Sequence, residues 1–347
     1  SKEMYSFVDQ GDAHICRRQE GTAGAVRAYL QAGLTRAGTQ RWYYCGPMFR
    51  RERPQKGRLR QFQQIGVEWF GAAGPVEDVE VLAMAHDFLV EIGLSDLRLE
   101  LNSLGCSACR PAYRDKLVGY LQQRADHLCA TCHERMDKNP MRVLDCKEAQ
   151  CQQQLDNAPE MIAHLCEGCA QHFAAVRRGL DALAIHYRVN PRIVRGLDYY
   201  NRTAFEIVTD QLGAQGTVLA GGRYDGLVQE LGGPAMPAIG FAAGLERLAM
   251  LLGEQPATSP DIAVVVLGDT AMDWSLQQTR NLRARGMSVI HCGGGSAKRQ
   301  FKVADRESVR YTLIIGEDEM AQGKVTLRNM ETGEQQLISP EAIILSA

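Results

Sequence analysis

Between Phe49 and Phe62 the sequence reads FRRERPQKGRLRQF, six arginines and lysines against one acid, with an aromatic ring at each end. Guanidinium groups pair with phosphate oxygens in fork geometry, so such a run could hold a polyphosphate. The continuation, RQFQQIGVEWFG, alternates with the period of a strand. Ile65, Val67 and Trp69 share an apolar face that should pack on a core. Phe62, Gln64, Gly66, Glu68 and Phe70 share the other. A ring, an amide, a glycine and a carboxylate in one row suit a small polar molecule lying beside a flat ring. On the facing strand Arg50 and Glu52 also share a face, and RPQKGR is the loop between. Phe62 offers a face to a base, Glu52 can accept from an exocyclic amine, and Gly66 lets a ligand approach the backbone. A merely solvated basic hairpin would carry the same charges, so the run alone does not decide.

A second set of residues has metal chemistry. CSAC (106, 109), CATC (129, 132), CKEAQC (146, 151) and CEGC (166, 169) place eight of the eleven cysteines in one region. Paired cysteines at this spacing in a reducing compartment point to zinc. A helix over residues 110–125 spans about 24 Å, which would hold CSAC and CATC at opposite ends. A second long helix running back antiparallel would return CEGC to CATC. Cys129, Cys132, Cys166 and Cys169 are then the tetrahedral candidates for a structural zinc, with Cys146 and Cys151 nearby as substitutes. Eight small, semi-buried apolar residues are the alternative.

The elements that must position these groups follow from pattern and composition. The 347 residues favour two or three domains. A net charge of −2 excludes a general polyanion binder, so any nucleic-acid contact is local. No apolar run reaches the roughly 20 residues of a membrane helix, no signal pattern opens the chain, and the expected location is cytoplasmic. Residues 1–102 mix strands with the helices AGAVRAYLQAGL and VEDVEVLAMAHDFLVEIGL. Residues 103–180 lose strand signals, and RPAYRDKLVGYLQQRADHL and EMIAHLCEGCAQHFAAVRRGLDAL predict two long helices of an insertion. Residues 181–253 return to Gly-rich strands and close on the helix GLERLAMLLG. Residues 254–260 have linker composition, and 261–347 alternate strand and helix as a small α/β domain with a mainly parallel core. The fold class is α/β, with an α+β first domain.

FRRERPQKGRLRQFQQIGVEWFG closely resembles motif 2 of class II aminoacyl-tRNA synthetases, in the form found in histidyl-tRNA synthetases. EGTAG (20–24) resembles the amino-acid loop before it, RGLDYYNRTAFE (195–206) the histidine-specific signature, and GLERL (244–248) motif 3. GTVLAGGRYDGL agrees as well, and the resemblance covers nearly the whole chain. It implies an antiparallel-sheet catalytic core with a helical insertion and a C-terminal mixed α/β anticodon-binding domain.

It further implies activation of L-histidine by ATP, with Mg²⁺ on the outer phosphates, and transfer of the histidyl group to the 3′ end of the histidine tRNA. Arg50, Arg195 and Arg247 would be the catalytic cations. Arg50 and Arg195 would meet the α-phosphate, and Arg247 would lie on the far side of ATP. Glu52 would meet the adenine amine, Phe62 stack on adenine, and Arg58 reach the γ-phosphate. Glu20, Thr22, Gln64 and Glu68 resemble contacts to the histidine amine and imidazole; Tyr199, Tyr200 and Tyr224 resemble the pocket wall. Gln55 would face the tRNA acceptor end, and Lys298, Arg299 and Lys302, on the domain that grips the anticodon, would either contact tRNA or stand at a solvated helix start. GGGSAK (293–298) lacks the spacing of a phosphate loop.

The pattern departs in two places. Gln19 stands where the family usually has Pro, which loosens the loop aiming Glu20. Motif 1, the family's dimer-forming segment, is absent, so the expectation is either that the N-terminus is missing from a homodimeric protein or that the dimer is compromised. The rival expectation is a non-catalytic, synthetase-like regulatory subunit of histidine biosynthesis.

Overall fold

A computed structural model of the chain describes residues 4–55, 57–194, 196–211, 216–254 and 259–344. The chain divides into two compact units, Ser1–Gly253 and Glu254–Ala347. The first begins with β1 (Ser6–Val8), β2 (His14–Cys16), α1 (Thr22–Gln31), β3 (Gln40–Phe49), β4 (Gln61–Phe70), α2 (Pro75–Glu91) and β5 (Arg98–Ser103). A helical stretch follows: α3 (Arg110–Gln122), α4 (Ala130–Lys138), α5 (Ala149–Gln154) and α6 (Glu167–Ala182). β6 (Tyr187–Val189), β7 (Asn201–Val208), β8 (Thr217–Arg223), α7 (Leu227–Glu230), β9 (Ala238–Gly244) and α8 (Leu245–Leu252) complete it.

Seven strands form one sheet in the order β3-β4-β9-β8-β7-β5-β6. Every pairing is antiparallel except β5 with β6. On one face Trp69, Leu101, Phe205, Ile207 and Phe241 pack against Val81, Leu82 and Leu89 of α2 and Val176 and Leu180 of α6. On the other, Tyr29 of α1 stacks on Phe70 at 4.5 Å. That second core runs on through Tyr200 and Tyr224 into Tyr113, Leu117 and Leu121 of α3, so the helical stretch shares its interior with the sheet.

A buried ionic network ties the layers together. Arg223 at the end of β8 is 0% exposed and pairs with Asp78 of α2, also 0% exposed. Arg223 also donates to the carbonyls of Ala72 and Gly74 and to Asp225 at 3.0 Å. Asp78 meets His172 Nε2 of α6 at 2.7 Å and accepts from the Thr203 hydroxyl of β7. Burial works against the Asp78 carboxylate, but His172 and the Arg223 charge outweigh it and hold its pKa below the usual value.

The structure corrects both long helices. α3 ends at Gln122, and Ala125–His127 makes a 3₁₀ turn before α4 starts. Residues 160–183 also split: Met161–His164 is a 3₁₀ turn, Leu165 and Cys166 are extended, and α6 begins at Glu167. The break lets the Cys166 amide reach Cys109 Sγ at 3.1 Å, a bond that a continuous helix could not make.

The second unit holds β10 (Ile262–Val266), α9 (Met272–Ala284), β11 (Val289–His291), α10 (Ala297–Arg306), β12 (Tyr311–Ile315), α11 (Glu317–Ala321), β13 (Val325–Asn329) and β14 (Gln335–Ile338). Its sheet order is β11-β10-β12-β13-β14. The first three strands are parallel and the last two form an antiparallel hairpin, turning through Gly333 at φ +75°.

Asp78→Asn leaves the Arg223 charge buried and half-compensated. The expected loss is about 3–5 kcal/mol of stability, read from the urea midpoint. A loss under about 1 kcal/mol would mean that the network is dispensable.

Candidate active site

The register of β3 and β4 builds the site. Met48 faces Phe62, Gly46 faces Gln64, Tyr44 faces Gly66 and Trp42 faces Glu68. β9 flanks β4 on its other side, with Gly244 opposite Gln64 and Gly240 opposite Glu68. Glycine at 240 is required by space: a Cβ there would stand 2.0 Å from Glu68 Oε2.

A cavity of about 650 Å³ opens over this face. Arg50, Arg58 and Arg247 line it, together with Phe62, Gln64, Glu20, Thr22, Tyr199 and Tyr200. Arg195 lies outside the described residues. Arg247, in the first turn of α8, donates Nε to Gly57 O at 2.7 Å and Nη1 to Thr217 O. Its neighbour Glu246 accepts from the Gln63 amide at 2.8 Å, fastening the start of α8 to β4. The guanidinium of Arg50 lies 4.2 Å from the Phe62 ring centroid.

Glu52 does not line this cavity. Its carboxylate takes both Nε and Nη2 of Arg58 within the hairpin and has Arg50 Nε at 3.9 Å. It is the one acid in a run of six cations, and it pairs with the nearest fork.

The floor is polar and buried. Glu68 is 1% exposed and Tyr224 donates its hydroxyl to Oε2. Burial pushes the Glu68 carboxyl up to about 8, against the lowering effects of Thr22 and Tyr224. Burial also keeps the phenols of Tyr44, Tyr199 and Tyr224 protonated above their ordinary value. Among the described residues, Glu68 Oε1 and the hydroxyls of Tyr44 and Tyr199 are buried without a hydrogen-bond partner. A buried polar group left unpaired costs about 1–3 kcal/mol. Tyr199, Tyr200 and Tyr224 pack beside it in tilted and edge-to-face contacts, with centroids 4.6–6.4 Å apart.

Glu20 accepts from the amides of Thr22 at 2.6 Å and Ala23 at 3.0 Å, a carboxylate on the first turn of α1. Gln64 Oε1 accepts from the Gly21 amide at 3.0 Å and fixes the same loop to β4.

Sequence reasoning missed Tyr44. Its ring is clamped between Gly21 and Gly66, where a Cβ would come within 2.1 and 2.3 Å of it. An aromatic directly across from a strand glycine was the available signal, but it needs the register of β3 on β4 to be known. The helical stretch also supplies wall residues that were not foreseen, among them Arg135, Arg142 and Lys147.

The cysteines group differently from expectation. Cys129 and Cys132 gather with Cys146 and Cys151, while Cys166 and Cys169 gather with Cys106 and Cys109, each set within 4.8 Å. The chain returns through α5 to the start of α3 before α6 begins, so both helices start at one cluster and CEGC meets CSAC rather than CATC.

A mainly antiparallel sheet carries a basic hairpin and a helix-borne arginine on one cavity, and a separate α/β unit follows. Residues 1–248 match the family described as histidyl-tRNA synthetase, and residues 261–345 match the anticodon binding domain. The histidine–tRNA ligase of Geobacter metallireducens is 50% identical over 347 residues, covering 99% of this chain and 84% of that protein. That of Acetivibrio thermocellus is 45% identical, covering 99% and 84%. The structure of apo S. aureus histidyl-tRNA synthetase superposes with a TM-score of 0.78 at 35% identity, covering 98% of this chain and 85% of that one. The chain belongs to the histidyl-tRNA synthetase family.

The raised Glu68 pKa has a signed consequence. Between the ordinary 4.5 and about 8 the folded protein keeps a proton that the unfolded chain has released. Its stabilising contribution is therefore complete below 4.5 and is lost as pH rises through about 8. Glu68→Gln is expected to flatten this part of the pH–stability curve in denaturant titrations at about pH 5 and about pH 8. An unaltered slope would place the proton elsewhere.

Proposed function

We propose that this cavity joins L-histidine to ATP, giving histidyl-adenylate and pyrophosphate, and then passes the histidyl group to the 3′ end of the histidine tRNA. The chain is a histidine–tRNA ligase, in keeping with its family and its relatives. One observation carries the assignment of roles: two of the three expected catalytic arginines, Arg50 and Arg247, share a cavity whose floor is an unsatisfied carboxyl–phenol pocket.

The reaction brings a carboxylate to an anionic phosphate, so positioning and fixed positive charge supply most of the catalysis. Arg50, Arg195 and Arg247 neutralise the phosphoryl oxygens. Phe62 stacks on adenine, and Glu52 accepts from its amine. Arg58 holds the γ-phosphate. Arg58 and Glu52 hold each other and Arg50 lies over Phe62, so ATP taking these groups would exchange both pairings. Mg²⁺ bound with ATP would supply charge neutralisation on the outer phosphates, and Glu206, a carboxylate in the cavity wall, is an oxygen donor of the kind it takes.

Glu68, with Tyr224, Tyr199 and Tyr44, meets the imidazole; Glu20 and Thr22 take the amine, with Gln64 holding their loop. Tyr200 closes the wall. A buried pocket of this kind rejects amino acids that leave its groups unpaired. Gln55 faces the acceptor end. The exposed Lys298, Arg299 and Lys302 on α10 meet the anticodon stem. A homodimer in the cytoplasm is the working form. A metal on the helical stretch's cysteines would have a structural part, since four thiolates close its coordination shell.

Histidine-dependent ATP–pyrophosphate exchange tests the reading and should appear with the purified protein. No exchange would favour the regulatory-subunit alternative, which the matched anticodon-binding domain at 261–345 disfavours. Glu68→Ala should raise the KM for histidine by about 10²-fold while leaving that for ATP within about threefold. Equal increases in both would remove Glu68 from the amino-acid site.

A further inference from the structure

We propose that the cysteines of residues 106–169 form two separate tetrathiolate zinc sites, Cys106/Cys109/Cys166/Cys169 and Cys129/Cys132/Cys146/Cys151. Four sulfurs at about 2.3 Å from a tetrahedral zinc stand about 3.8 Å from one another. Sγ separations of 3.6 Å (Cys106–Cys109), 3.9 Å (Cys106–Cys166) and 3.9 Å (Cys129–Cys146) have that edge length. They are too long for a disulfide bond and much shorter than sulfurs spread over an iron–sulfur cluster.

Backbone donors face several of the sulfurs. The Cys166 amide donates to Cys109 Sγ and the Cys129 amide to Cys151 Sγ, each at 3.1 Å. Backbone amides also face Cys106, Cys129 and Cys166, the first residue of each Cys-x-x-Cys pair. Cys109, Cys129 and Cys166 are the N-caps of α3, α4 and α6, where the helix dipole favours negative charge. Arg110 sits beside the first cluster and balances its charge while donating to the carbonyls of Leu104 and Tyr200. Gly105, at φ +62°, makes the turn; a Cβ there would lie 2.2 Å from Met161. Soft thiolates select zinc over magnesium or calcium, and zinc outranks ferrous iron for the same ligands.

The second site also reaches the cavity, a point that rests on the ligase reading. Between its ligands, Asn139 donates to Asp198 at 2.6 Å and Arg142 donates to Gly196 O, both in the loop that carries Tyr199. Cys129 and Cys146 themselves line the cavity.

Elemental analysis of protein purified without added metal should find two zinc ions per chain. None, one, or iron in their place would overturn the proposal. The pairing is read separately. Replacing Cys106, Cys109, Cys166 and Cys169 together by Ser should leave one zinc, whereas the cross-pairing of Cys129 and Cys132 with Cys166 and Cys169 would leave none. If that variant does not fold, alkylation of the native protein during graded chelation, followed by peptide mass spectrometry, gives the same answer: the cysteines should become reactive in the two quartets named. Emptying the second quartet should lower kcat/KM in histidine-dependent exchange at least about tenfold. An unchanged rate with one zinc lost would refute the link to the cavity while leaving both the metal count and the ligase reading in place.

Discussion

Arg223 lies wholly out of water, and its charge is tolerable there only because Asp78 reaches it from α2. Four elements meet at this pair: α2 through Asp78, α6 through His172, β7 through Thr203 and β8 through Arg223 itself. The next residue, Tyr224, points to the opposite side and holds Glu68. Asp225 then takes Arg223 on one oxygen and Asn201 on the other. The pocket floor is thus anchored to helices on the far side of the sheet by two consecutive residues. A purely apolar contact at Arg223 could slide; a forked guanidinium between two carboxylates and two carbonyls cannot.

The hairpin end of the cavity is organised in another way. Its cations and its acid are paired with one another, Glu52 with Arg58 and Arg50 over Phe62. At the floor of the cavity Tyr224 holds Glu68 and the Gly21 amide holds Gln64.

Much of this was readable in the residues. The two-residue period of β4 put Phe62, Gln64, Gly66 and Glu68 on one side and Ile65, Val67 and Trp69 on the other, and the sheet keeps that division. The split before residue 254 and the parallel core of the second unit also followed from pattern. Tyr44 escaped because its part depends on which residue of β4 it faces, a long-range fact. The cysteine quartets escaped for a related reason. Spacing identifies pairs, but which pairs meet is decided by where the chain breaks its helices at Gln122 and Cys166, and local propensity is too weak to locate such breaks when sulfur–amide bonds outweigh it. The wall contributed by Arg135 and Arg142 likewise depends on how α4 and the segment after it fold back.

The fit of Tyr44 between Gly21 and Gly66 bears on how the protein can evolve. Every replacement at either glycine adds at least one carbon to space already filled by the ring. Single steps through these positions are therefore closed, and a viable route needs a smaller residue at 44 to appear first. Amino-acid preference at this floor would then drift only through coupled changes on two strands and a loop, making it slow to wander even where the rest of the sequence diverges freely.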